Sequence, residues 1–161
     1  MVTKRMRIDI DFQYGYLIVG ISSLLKDYRL AYHLNSVLGI DLKRLEDLPA
    51  NFEKENKVVP FPLFIDNLND NFKVCILIGC NNQGVKLFPL LKHYDYMLLY
   101  EMPSIDWTPE HVVTSIRKIS NVQLAKKLSS EELKGFQSIL MDLEMHLHQL
   151  SMKDVKVRRK I

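Results

Sequence analysis

Hydrophobic and polar positions alternate strictly at the start of "RIDIDFQYGYLIVGI", where Ile8, Ile10 and Phe12 stand against Asp9, Asp11 and Gln13 before the chain turns continuously apolar. Period-two alternation marks a half-buried strand, and an unbroken apolar run marks one buried on both faces. Arg7 to Ile21 therefore predicts strand, with a bend or bulge at Tyr14-Gly15. In "SSLLKDYRLAYHLNSVLG" the period changes, and Leu24, Tyr28, Ala31, Leu34 and Leu38 recur at helical spacing. Ser22 or Ser23 is the expected N-cap of this helix and Gly39 its C-terminal stop.

"IDLKRLEDL", from Ile40, predicts a short half-exposed strand, and Pro49 to Lys57 a polar loop. "VVPFPLFIDN" and "NFKVCILIGC" then predict a hairpin joined across Asp66 to Asp70. Pro60 and Pro62 lack backbone donors, so the first arm is expected to be an edge strand or to begin after Phe61. The second arm, Phe72 to Ile78, reads as a central strand. "NNQG" reads as a strand-to-helix loop, Phe88-Pro89 as the start of a short helix ending at Lys92-His93-Tyr94, and Asp95 as the mouth of a strand from Tyr96 to Glu101.

Thr108, Pro109 and Glu110 form a helix start followed by Val112, Val113, Ile116 and Ile119 on one face. "NVQLAKKL" alternates weakly and predicts a last strand. Ser129 to Glu132 is a capping box. It is expected to open a helix whose Leu133, Phe136, Leu140, Leu143, Leu147 and Leu150 recur every three or four residues. The whole predicts an α+β fold, a twisted and largely antiparallel sheet of five or six strands covered by about three helices. Residues 1–151 read as one domain and 152–161 as a basic, flexible tail. The leucine stripe covers about two and a half heptads, fewer than a coiled coil needs. Packing on the sheet is its simpler reading, and a homodimer or partner interface through Phe136, Leu140, Leu143 and Leu147 the alternative.

Composition narrows the picture. At 161 residues and 47% hydrophobic the chain can bury one sizeable core. Its apolar runs fall far short of the roughly 18 to 20 residues of a membrane helix, and the basic N-terminus is followed by alternation rather than a signal-peptide core. No membrane partner and a cytoplasmic location are expected. Cys75 and Cys80 read as small hydrophobes in a reducing compartment. The formal charge of +3 is uneven, because Lys153, Lys156, Arg158, Arg159 and Lys160 against Asp154 give the last nine residues +4. The other 152 residues then sum to about −1, which disfavours a nucleic-acid-binding face on the folded body.

Catalytic signatures are lacking in the sequence: it has no phosphate-binding glycine loop, no G-x-S-x-G elbow and no second cysteine pair of zinc spacing. His146 and His148 would lie about 200° apart on a helix and cannot share an ion. No metal and no cofactor is expected, and no catalytic residue is assigned. The densest set of hydrogen-bonding side chains is Asp27, Tyr28, Arg29, Tyr32 and His33, in which Arg29 and His33 share one helix face and the two tyrosines the adjacent one. With Asp95 it is the candidate ligand or partner surface, and a solvated helix face with amphipathic tyrosines is the plainer explanation.

At "LFPLLKHYDYMLL", in the frame Phe88-Pro89-Leu90, three residues, Tyr94-Asp95-Tyr96, the chain resembles the IPExxxVDY family of small Bacteroidetes proteins. "DIDFQYGYLIVGISSLLKDYRLAYHLNSVLGIDLKRLEDL" is similar to that family too, so the likeness extends to about residue 105. Phe88 replaces the motif's isoleucine, Tyr94 its valine and Leu90 its glutamate; the last change speaks against a chemical role for that acid. The resemblance implies a family and no particular activity. From the residues, the expected function is an interaction or regulatory module without catalysis, acting as a homodimer or on another protein. The second reading is a small-ligand binder or enzyme using Tyr28, Arg29 and His33 with Asp95, and the third is nucleic-acid association through the tail.

Overall fold

Continuous apolar runs at Leu17–Ser23 and Tyr96–Tyr100 become the two inner strands of an antiparallel sheet, buried on both faces along almost their whole length. The computed structural model describes residues 16–68, 73–101 and 107–160. The strands are β1 (Leu17–Ser23), β2 (Lys43–Phe52), β3 (Lys57–Leu68), β4 (Lys73–Gly79), β5 (Asn81–Asn82), β6 (Val85–Lys86), β7 (Tyr96–Tyr100) and β8 (Val122–Lys127). The helices are α1 (Asp27–Leu38), α2 (Pro109–Arg117) and α3 (Gln137–Lys160). Six strands form one sheet in the order β2-β3-β4-β7-β1-β8, each pair antiparallel, and β5 and β6 make a separate two-stranded ribbon. The α+β class and the antiparallel sheet are as the periodicities predict. The alternating segment from Arg7 to Gly15 and the turn at Asn69-Asp70 lie outside the described residues.

Strand alternation divides the core in two. Leu30, Ala31 and Leu34 of α1 and Val112 and Ile116 of α2 pack against Leu17, Val19, Ile21, Leu77 and Leu98 on one face of the sheet. Phe136, Ile139, Leu140 and Leu143 pack against Ile18, Phe61, Leu63, Ile76 and Leu99 on the other. The result is a three-layer arrangement, with α1 and α2 on one side and α3 on the opposite side.

Several boundaries differ from the sequence expectation. Ser22 and Ser23 finish β1, so α1 starts later: Lys26 is its N-cap and makes no side-chain cap bond. The buried stripe of α1 is accordingly Leu30, Ala31 and Leu34, while Leu24 and Tyr28 are 84% and 61% exposed. Gly39 closes the helix as expected, at φ 66°. β2 runs on through Pro49, where a polar loop was expected; Pro49 faces Pro60 across the β2–β3 pair, so neither missing donor costs a ladder bond. β3 lies inside the sheet rather than at its edge, but its pairing with β4 begins at Leu63, just beyond Pro60 and Pro62. In "NNQG" the two asparagines are β5 and Gln83-Gly84 is a two-residue hairpin loop to β6, both residues left-handed at φ 50° and 87°.

Thr108 accepts from the His111 amide as the N-cap of α2. The Ser129–Glu132 box also forms, each residue's side chain accepting from the other's amide at 3.2 Å. Burial works to raise the Glu132 carboxyl, but these bonds and Lys126 outweigh it and hold it below its usual range. The box opens a turn rather than the long helix, because Gly135 takes a left-handed φ of 89° and α3 begins only at Gln137. The helical backbone of α3 continues to Lys160, through the segment read as a tail.

Candidate functional site

The corner that carries the Phe88 to Tyr96 motif is built to hold the loop between β1 and α1. Phe88 is buried edge-on against Phe136, with ring centroids 5.5 Å apart, and Pro89 opens a single 3-10 turn, Pro89–Leu91, where a short helix was expected. Tyr94 is buried across Gly20 of β1. The Asp95 carboxylate accepts the Ser23 amide at 2.9 Å, and the Tyr96 hydroxyl donates to the Leu25 carbonyl at 2.6 Å. Ser22 adds a bond to the His93 carbonyl at 2.6 Å, and Ser23 one to the Asn121 carbonyl at 2.8 Å. Leu90 projects into solvent and is 73% exposed.

This brace fixes the entry of α1, and with it the candidate surface. Leu24, Leu25, Lys26, Tyr28, Arg29 and Asn121 line a shallow cleft of about 460 Å³. Tyr28 and Arg29 of the expected set are therefore in the cleft. Tyr32 and His33 lie one turn farther along α1, edge-on to each other at 5.5 Å, with Tyr32 71% exposed. Asp95 stands behind the loop, with a carboxylate oxygen committed to Ser23. The set thus forms an exposed strip along one helix and does not converge on one point, as acid–base or nucleophilic chemistry requires.

Charge on the strip is one-sided. Asp27 is held by Arg44 at 2.7 Å, and Arg44 also pairs with Asp47 and lies over the Phe64 ring. Among the described residues neither Lys26 nor Arg29 has an ion-pair partner. The face therefore combines two unpaired cations with three large apolar side chains, Leu24, Tyr28 and Tyr32. Sequence reasoning found the tyrosines and Arg29 but missed Leu24, Lys26 and Asn121. Leu24 reads as part of the helical stripe of α1 rather than as a surface group, and Asn121 is placed by the fold alone, from a left-handed turn at φ 71°.

A larger groove of about 760 Å³ lies on the other side, among Phe52, Lys54, Asn56, Val58, Pro89 and Ser138. Of its charged groups, Glu55 pairs with Lys57 at 2.9 Å and Asp142 accepts the Asn51 amide at 3.3 Å, while Lys54 has no ion-pair partner among the described residues.

The remaining candidates are structural. Phe136, Leu140 and Leu143 are at most 2% exposed and Leu147 packs against the same cluster, so these residues lie in the chain's own core, the simpler of the two readings of the stripe. Cys75 and Cys80 are buried free thiols; burial raises both, Cys80 to about 12 with Asp95 adding and Lys86 opposing, which leaves neither a nucleophile at neutral pH. His146 is buried against the Glu46 carbonyl at 3.0 Å, while His148 faces solvent. No group of histidine, cysteine and carboxylate side chains is placed to hold a metal among the described residues, and no helix there is long and apolar enough to cross a membrane. Compared with known proteins, the chain matches no family model, no curated protein and no solved structure.

Proposed function

We propose that the protein is an interaction module whose α1 face docks an acidic, apolar-bearing segment of another protein. The observation that carries this reading is the strip itself: Leu24, Tyr28 and Tyr32 exposed in succession, beside Lys26 and Arg29 without ion-pair partners among the described residues. Exposed tyrosines give large contact area at low entropic cost, and arginine beside them is the usual composition of a binding hot spot. Unpaired cations select carboxylates at the rim and speed encounter. The bonds from Asp95, Tyr96 and Ser23 pre-organise the strip, which lowers the cost of docking.

Membership of the IPExxxVDY family and a cytoplasmic location belong to the same proposal. Family membership is supported by the motif positions that the chain keeps, Pro89, Asp95 and Tyr96, of which the last two hold the α1 entry loop. A random-peptide display library panned on the protein tests the docking reading. Enriched peptides should combine Asp or Glu with Leu, Phe or Trp, and should lose binding to Arg29→Glu and to Tyr28→Ala/Tyr32→Ala. Enrichment of basic peptides, or binding that both variants retain, would overturn it.

A further inference from the structure

The face of α3 turned away from the sheet carries a second stripe, distinct from the leucines. Met141, Met145, His148 and Met152 follow at intervals of four, three and four, and all are exposed, the methionines by 62%, 64% and 48%. At about 100° per residue they fall within about 60° of one another around the helix. The sequence continues the spacing to Val155. Four-three spacing is the pattern of a helix–helix seam, and methionine adapts readily to a facing helix.

We infer that this stripe joins two copies of the chain, with their α3 helices packed antiparallel and crossing near His148. Charge selects both occupant and orientation. The last nine residues carry +4, whereas the acidic residues of the first half of α3 are Asp142 and Glu144. Parallel copies would set one basic end beside the other. Antiparallel copies lay each basic end along the half of its partner that bears the acids, and like charges are kept apart.

Helix length points the same way. α3 has 24 residues, and among its described side chains the last in the core cluster are Leu143 and the partly buried Leu147. Helices in water take most of their stability from packing, and a second helix along the exposed outer face supplies it. Association by strand addition is blocked at both sheet edges, at β8 by Lys126 and Lys127 and at β2 by Pro49 and a register break between Leu45 and Leu48. Four side chains fall short of the roughly 800 Å² that each partner buries in a standard interface, so the dimer is weak and concentration-dependent. Because α1 and α3 lie on opposite sides of the sheet, it turns two α1 faces outward. The dimer does not depend on what α1 binds.

Sedimentation equilibrium of the full chain over a concentration series tests the seam. The mass should rise from monomer toward dimer, and Met145→Glu/Met152→Glu should remain monomeric with an unchanged unfolding midpoint, since both positions are exposed. If that variant unfolds early, the single variant Met145→Lys replaces it. Under mild oxidation His148→Cys should form an intermolecular disulfide, while Met152→Cys, which faces a position near residue 144 of the other copy, should not. Cys75 and Cys80 are buried and do not compete. A monomer at every concentration, or a dimer that the charged variants leave intact, would overturn the seam; efficient cross-linking through Met152→Cys would overturn the antiparallel orientation.

Discussion

Replacing Gly20 by alanine tests how tightly the motif corner is packed. A Cβ on Gly20 would lie 2.7, 2.8 and 2.9 Å from Cδ1, Cε1 and Cγ of the Tyr94 ring. Carbon atoms pack at about 3.5 to 4.0 Å, so the ring would have to retreat by about 0.8 Å or more. It has little freedom to do so, because Tyr94 is 2% exposed and the backbone around it is tied down. The Tyr94 amide donates to Leu91 at 3.1 Å, the Asp95 amide to Ile21 at 2.8 Å, and the Cys80 amide to Asp95 at 2.8 Å. Gly20 is not in the left-handed region, so the cost is steric and owes nothing to backbone strain.

Overpacking of this kind costs about 1–3 kcal/mol, and a rigid ring puts Gly20→Ala at the upper end. At about 2–4 °C per kcal/mol for a domain of this size, the melting temperature should fall by about 6–12 °C. Urea unfolding of Gly20→Ala, Tyr94→Leu and the double variant gives a thermodynamic cycle. Tyr94→Leu should destabilise on its own by leaving a cavity, but in that background the Gly20→Ala penalty should shrink by about 1 kcal/mol or more. A Gly20→Ala protein within about 0.5 kcal/mol of wild type, or an equal penalty in both backgrounds, would refute the reasoning.

Two tyrosines on β7 should respond oppositely to the same change. Tyr96→Phe loses the bond to the Leu25 carbonyl and should cost about 0.5–1.5 kcal/mol, whereas Tyr100→Phe removes a buried hydroxyl that has no partner among the described residues and should be neutral or stabilising in urea unfolding. Asp95→Ala leaves the Ser23 amide without its acceptor and should destabilise by about 1–3 kcal/mol, with faster amide exchange at Ser23 and Leu25 as the specific sign. Burial, with Asp27 and Asp95 adding, pushes the Tyr96 phenol up to about 12. A raised folded value gives stability that is complete below the unfolded value of about 10 and is lost as pH climbs toward 12. Denaturant midpoints should therefore fall across that alkaline window, and less steeply in Tyr96→Phe.

Much of the fold was legible because the residues that encode it act locally. Gly39 can end a helix in the left-handed region, Thr108 can cap one, and neither depends on distant packing. What failed depended on partners far along the chain. Pro49 reads as a loop residue until Pro60 is placed opposite it, and Ser129-Glu132 reads as a helix start until Gly135 breaks the backbone behind it. Leu24 and Tyr28 fit the helical period of the core, but β1 extends through Ser23 and shifts the helix that would have buried them. At the site, Tyr28, Arg29, Tyr32 and His33 could be grouped by spacing along one helix. The part of Asp95 in bracing their loop could not, because its bond to Ser23 spans 72 residues.

The docking claim is tested most directly by mapping amide chemical-shift changes in the NMR spectrum as an acidic, apolar-rich peptide from the display selection is added. Changes centred on residues 24–33 and weakened in Arg29→Glu are the result the account predicts. Changes centred on the outer face of α3 or on the groove around residues 51–58, with residues 24–33 unmoved, would contradict it.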